Sequence, residues 1–172
     1  MNLETLFTNT SISAKEKTTI ISEWLADQSL PIEELIAFAE QRKKDVEKAT
    51  CIEAIEYVSK NNPELVTEPV FDFMIQQLTA KAPRIKWESA KVIGNSASLF
   101  KEKLAYTLPP LIQNTSHTGT VVRWSAAYAL GEILKTNPPF ASDLIATMET
   151  LISNEEKNSI IKIYQQAIKK VK

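Results

Sequence analysis

The sequence predicts an all-α protein built as a solenoid of stacked helical hairpins, and three observations carry that reading. Glycine is scarce, 3 in 172 residues. Tight β-hairpins and phosphate-cradling loops consume glycine, so β-rich and nucleotide-binding folds lack their material. Helix-ending punctuation recurs, with Asn61-Asn62-Pro63 and Asn137-Pro138-Pro139 placing equivalent prolines 75 residues apart. At half that period, residues 49–58, 87–96 and 124–133 align without gaps, 38 and then 37 residues apart. Cys51, Ser89 and Ala126 coincide, as do Ile52, Ala90 and Ala127, then Ala54, Val92 and Ala129, then Ile55, Ile93 and Leu130. These columns form one helical face of small residues edged by a large aliphatic, which lets helices approach closely and which no hairpin buries alone.

The elements follow in order. Ser13 and Glu16 have the spacing of a capping box, so a helix is expected over 14–27. Pro31, followed by Glu33 and Glu34 where the helix dipole favours anions, opens a helix to about 41. Asp45 starts the next, to about 60, beyond the basic run at 42–44. Aliphatics at helical spacing predict outer helices over 66–79, 101–115 and 142–153, with Pro69 near a start and Pro109-Pro110 mid-helix, where proline kinks. Inner helices are expected near 84–98, 120–136 and 155–171, the last replacing the small pair with Tyr164 and Gln165 as a terminal repeat does. The whole chain, 1–172, reads as one domain: a cap over 1–30 and hairpins over 31–62, 63–99, 100–137 and 138–172.

Composition excludes several functions. One cysteine, Cys51, forms no internal disulfide, and with a single histidine, His117, supplies no ordinary zinc site. No secretory leader pattern or membrane-length apolar run is present, so a cytoplasmic protein without membrane contact is expected. Residues 1–86 carry 10 Lys/Arg against 14 Asp/Glu, and residues 87–172 carry 10 against 7. That basic half falls far short of a dedicated nucleic-acid binder. No phosphate loop, nucleophile elbow or metal-spaced cluster occurs, so no catalytic residue, metal or cofactor is expected. His117 lies in an inter-helix turn, and Cys51 occupies a core column where a thiol is inert.

Val122-Arg-Trp-Ser-Ala-Ala-Tyr-Ala-Leu-Gly131 resembles the second helix of a HEAT repeat, whose pattern is Val-Arg, two variable residues, Ala-Ala, one variable residue, Ala-Leu-Gly. Ile85-Lys-Trp-Glu-Ser-Ala-Lys-Val-Ile-Gly94 is a degenerate copy, and Leu108-Pro-Pro-Leu-Ile112 is similar to the proline-bearing first helix. The resemblance to this armadillo/HEAT superfamily covers about residues 31–171. It implies a right-handed α-α superhelix, first helices outside and second helices lining a concave face. It also implies binding of proteins, peptides or sometimes nucleic acids without catalysis. The sequence departs from the pattern where the acidic residue usually found a few positions before Val-Arg is missing ahead of Ile85 and Val122. The ladder joining neighbouring repeats thus lacks its usual member.

Lys48, Lys86 and Arg123 precede Ala49, Trp87 and Trp124, a row of cations at one height on successive inner helices. Such a row either selects acidic groups of a partner or pairs with carboxylates of the adjoining repeat. Trp87 and Trp124 at the edge of the core face are either partner anchors or covers between repeats, whereas Trp24 beside Ile20, Ile21 and Leu25 reads as core. The expectation is a protein- or peptide-binding scaffold with Lys48, Lys86, Trp87, Arg123 and Trp124 as contacts. On that expectation, reversing Lys86 and Arg123 weakens binding and leaves unfolding nearly unchanged. The alternative is a nucleic-acid-binding module, since aromatics beside cations on an inner face are similar to those of the DNA alkylation repair proteins, which are HEAT-like. Stacking of open solenoid ends into a self-associating array is a third reading.

Overall fold

Close stacking of helices requires small side chains between them, and the aligned columns supply them. All twelve column residues, from Cys51 to Leu130, are buried. The computed structural model describes residues 2–171 and forms ten α-helices and no strand among them. They are α1 (Leu3–Thr8), α2 (Ala14–Ala26), α3 (Ile32–Glu40), α4 (Asp45–Ser59), α5 (Glu68–Gln77), α6 (Pro83–Ser96), α7 (Leu104–Asn114), α8 (Thr120–Lys135), α9 (Ala141–Asn154) and α10 (Asn158–Val171). Helices α2, α4, α6, α8 and α10 each pack along the next as an inner layer. Helices α3, α5, α7 and α9 lie outside on their own hairpin partners, and α3, α5 and α7 touch one another at few places. Because inner neighbours approach more closely than outer ones, the stack curls toward the inner layer.

Local chemistry sets the ends of the elements. Ser13 and Glu16 form the expected capping box, with the Ser13 backbone N–H donating to Glu16 Oε2 at 2.8 Å. Asn137 takes the left-handed conformation (φ 53°) just past α8, a place asparagine tolerates, and Pro138 then bars continuation. Helix α7 runs through Pro109 and Pro110. The carbonyls those rings leave without donors belong to Ala105 and Tyr106, both exposed, where water substitutes. The outer helix expected over 101–115 starts late because a 3-10 turn occupies Lys101–Lys103, and the one expected over 66–79 is confined to Glu68–Gln77, with Pro69 in its first turn.

One element was not legible in advance. Helix α1 spans only six residues, too few for a periodic signal, and is held by contacts from elsewhere. Asn2 Oδ1 accepts from the Thr5 backbone N–H at 2.9 Å, Leu3 and Leu6 are buried, and Phe7 meets Phe38 of α3 with ring centroids 5.1 Å apart. Arg42 at the end of α3 pairs with Glu4 at 2.9 Å. Thus α1 sits outside against α3 while α2 continues the inner layer against α4, where Thr18 Oγ1 donates to Glu53 at 2.8 Å. Trp24 is half-buried and packs on the core.

Candidate partner-binding face

The cation row comes first, because the sequence singled it out. Lys86 points toward the loop end of its hairpin, where its Nζ donates to the Leu78 carbonyl at 3.1 Å and to Asn114 Oδ1 at 3.0 Å. Asn114 Nδ2 in turn donates to the same Leu78 carbonyl at 3.0 Å, so a buried asparagine joins α7 to the end of α5. It links neighbouring hairpins where the acidic residue of the pattern is missing. Burial pulls the Lys86 pKa down. Arg123 reaches into the last hairpin: its Nε and Nη2 donate to Glu155 at 2.9 and 3.3 Å, and its Nη1 donates to the carbonyls of His117 and Thr118. Lys48 is half-buried at the start of α4. Lys86 and Arg123 therefore join hairpins from within.

The tryptophans point elsewhere. Trp124 is 38 % exposed on the inner face and lies nearly parallel to Tyr128 one turn on, with centroids 5.8 Å apart and planes 4° apart. Tyr128 lies flat because the position opposite is Gly94. A Cβ there would stand 2.7 Å from Tyr128 Cε1 and 3.3 Å from the Ala129 Cα. The Tyr128 hydroxyl donates to Asn95 Oδ1 at 2.6 Å, and Asn95 Nδ2 donates to Ser59 Oγ at 2.9 Å. A polar relay thus crosses α8, α6 and α4, and burial raises the Tyr128 pKa to about 12. Trp87, at the equivalent position on α6, is half-buried and donates its indole N–H to Glu88 Oε1 at 2.6 Å. Glu88 is 3 % exposed; burial pushes its carboxyl up against the opposing pull of Lys91, 2.7 Å away. Lys91 also lies 3.4 Å from buried Glu56, which stands 3.0 Å from Lys60. Tyr128 and Asn95 were missed because they fall in columns where the three copies share no residue type. Gly94, opposite an aromatic, was the available signal.

A cavity of about 440 Å³ opens near His117, Arg123, Glu155 and Tyr164, but Arg123 and Glu155 hold each other and His117 Nδ1 accepts from the Gly119 backbone N–H at 2.9 Å. Cys51 is buried, and desolvation raises its thiol to about 12. Among the described residues no group of three His, Cys, Asp or Glu is placed to hold a metal ion, and no helix is long and apolar enough to cross a membrane.

Comparison of the whole chain bears on the architecture. A designed armadillo repeat protein in complex with the peptide (KR)4 superposes with a TM-score of 0.75 over 98% of this chain and 79% of its own, at 14% identity. The fold is a right-handed helical-repeat solenoid of the armadillo/HEAT kind. A second designed armadillo repeat protein gives 0.71 over 92% of this solenoid and 74% of its own length, at 12% identity. An engineered protein gives 0.72 over 97%, at 17% identity, and the chain spans only 46% of it. No protein-family model matches the sequence, and no curated protein matches it.

Proposed function

We propose that this solenoid is a non-catalytic, cytoplasmic scaffold that binds a protein or peptide on its inner face, with Trp124, Trp87 and Tyr128 as contacts. One observation carries the reading. Of the six large hydrophobic residues most exposed among those described, Val46, Tyr57, Val121 and Trp124 belong to inner helices α4 and α8, leaving only Leu99 and Tyr106 elsewhere. Folding gains nothing from aromatic surface left in water, whereas partner recognition draws on it. A designed armadillo repeat protein made for modular peptide recognition is among the structural neighbours, at TM-score 0.68 and 15% identity. That supports a peptide-sized partner. Lys86 and Arg123 serve this reading by holding the inner helices in register, and Lys48 flanks the face.

The test is selection from a random displayed peptide library on immobilised protein, followed by titration of enriched peptides against wild type and the double variant W87A/W124A. Binding weakened by about tenfold or more in the variant, with cooperative unfolding retained, is the expected result. Equal binding by both proteins removes the inner face from the function. A labelled DNA duplex titrated at low and moderate salt addresses the nucleic-acid alternative: tight binding that falls steeply with salt replaces the present reading with that one.

A further inference from the structure

The charges around the aromatic stripe are answered inside the fold. Glu53 takes Arg84 at 2.5 Å and the Thr18 hydroxyl at 2.8 Å. Glu56 and Glu88 share Lys91, Lys60 closes on Glu56, and Glu132 pairs with Lys135. Glu47 takes Lys44 at 3.2 Å and Arg123 takes Glu155. Lys86 is held by an asparagine and a carbonyl, and Asp45 and Lys48 carry opposite signs one turn apart on α4. Helices α4, α6 and α8 with the flanking Lys44 and Lys60 hold eight cations and six anions, and Glu155 closing on Arg123 leaves a net charge of only +1. A face so nearly balanced has little net field with which to select an acidic or a basic segment.

Its hydrogen-bonding groups are equally committed. The Trp87 indole N–H is spent on Glu88 and the Tyr128 hydroxyl on Asn95, so both rings offer π-faces rather than donors. Trp124 Nε1 and Tyr57 Oη alone among the four aromatics make no hydrogen bond within the described residues, and both side chains are exposed. The face therefore presents flat rings, that of Tyr57 with Lys60 Nζ 5.5 Å from its centroid, plus two donors. A ligand suited to it packs apolar rings or methyl groups on aromatic plates, asks for few acceptors, and offers backbone carbonyls to the donors. Proline meets each requirement: it lacks an N–H, pre-sets an extended backbone with solvated carbonyls, and docks in aromatic-lined grooves.

We propose that the inner face receives an extended, uncharged segment rich in proline and aliphatic residues, an inference that rests on the binding reading above. The experiment uses the same displayed library, now selected in parallel at low and high salt, and reads the composition of the enriched peptides. The strongest is synthesised and titrated by tryptophan emission against wild type, W124A and Trp124→Phe. Expected are near-neutral, proline- and aliphatic-enriched sequences whose affinity changes less than about threefold with salt, because no counterions are released. W124A should lose about tenfold or more, and Trp124→Phe, which keeps a ring without the N–H, a smaller part. Enrichment of acidic or basic peptides with steep salt dependence overturns this inference and leaves the binding face standing. No enrichment, or peptides indifferent to W87A/W124A, overturns both. Cooperative thermal unfolding of each variant, with a Tm well above the titration temperature, excludes misfolding as the cause.

Discussion

Gly94→Ala should destabilise this protein, against the usual direction of that substitution in a helix. Replacing a mid-helix glycine by alanine gains about 1 kcal/mol from backbone entropy. Here the new methyl would lie 2.7 Å from Tyr128 Cε1 and 3.3 Å from the Ala129 Cα, so the ring must move away from α6. That displaces the Tyr128 hydroxyl from Asn95, about 1 kcal/mol, and disturbs the parallel stack on Trp124, about 0.5–1.5 kcal/mol. Overpacking in a tight helix interface adds about 1–3 kcal/mol. The net is a loss of about 1.5–4.5 kcal/mol, or a Tm lowered by roughly 3–18 °C for a chain of this size. Calorimetry of wild type, G94A, Y128A and G94A/Y128A measures it. With the ring removed only the 3.3 Å approach to the Ala129 Cα remains, so the same glycine-to-alanine change should be about neutral, giving a coupling of about 1.5–4.5 kcal/mol. A G94A protein that melts above wild type in both backgrounds refutes the account of Gly94 as the seat of Tyr128.

Further outcomes follow from the joins between hairpins. Reversing Lys86 and Arg123 together to glutamate should lower Tm by several degrees, since each leaves buried acceptors unmet and Arg123→Glu faces Glu155; an unchanged melt would show these bonds to be dispensable. Glu155, whose carboxyl lies below its usual range through Arg123 and the backbone N–H of Lys157, contributes stability above the unfolded carboxylate pKa of about 4.3. That contribution is lost as pH falls through the depressed folded value, so wild type should lose more stability than E155Q between pH 5 and pH 3 in urea titrations, and parallel losses would contradict it. Cys51, with its thiol raised to about 12, should resist a disulfide reagent at pH 8 in the native state and react at once in denaturant.

The solenoid was legible in the sequence because its core is periodic. Four columns of small and aliphatic residues repeat at 37–38 residues and all lie buried, so the alignment carried the inner layer and with it the stacking order. Trp124 was legible as an edge residue for the same reason. Helix α1 was not, since six residues give no period and its place depends on Phe7 meeting Phe38, thirty-one positions away. Nor was the fate of the cation row. Its carboxylate partner, Glu155, lies 32 residues from Arg123 and is the residue that caps the turn into α10, and Lys86 takes an asparagine and a carbonyl instead of any carboxylate. Sequence spacing marks which residues share a height; it does not say which way a long flexible side chain turns.

That turn divides the labour of the inner helices. Lys86 and Trp87 are consecutive, as are Arg123 and Trp124, and one residue rotates the side chain by about 100° around the helix. The first of each pair is directed to the loop end, where it ties its hairpin to the next, and the second to the open face. Under the proposed function, stability and recognition fall on adjacent positions. Effects at 86 and 123 should appear in unfolding, and those at 87, 124 and 128 in partner affinity, except where Tyr128 meets Gly94 and Asn95 and the two are coupled. At that junction a substitution made to change binding will also change the melt, and G94A, which displaces the Tyr128 ring, should register in both measurements.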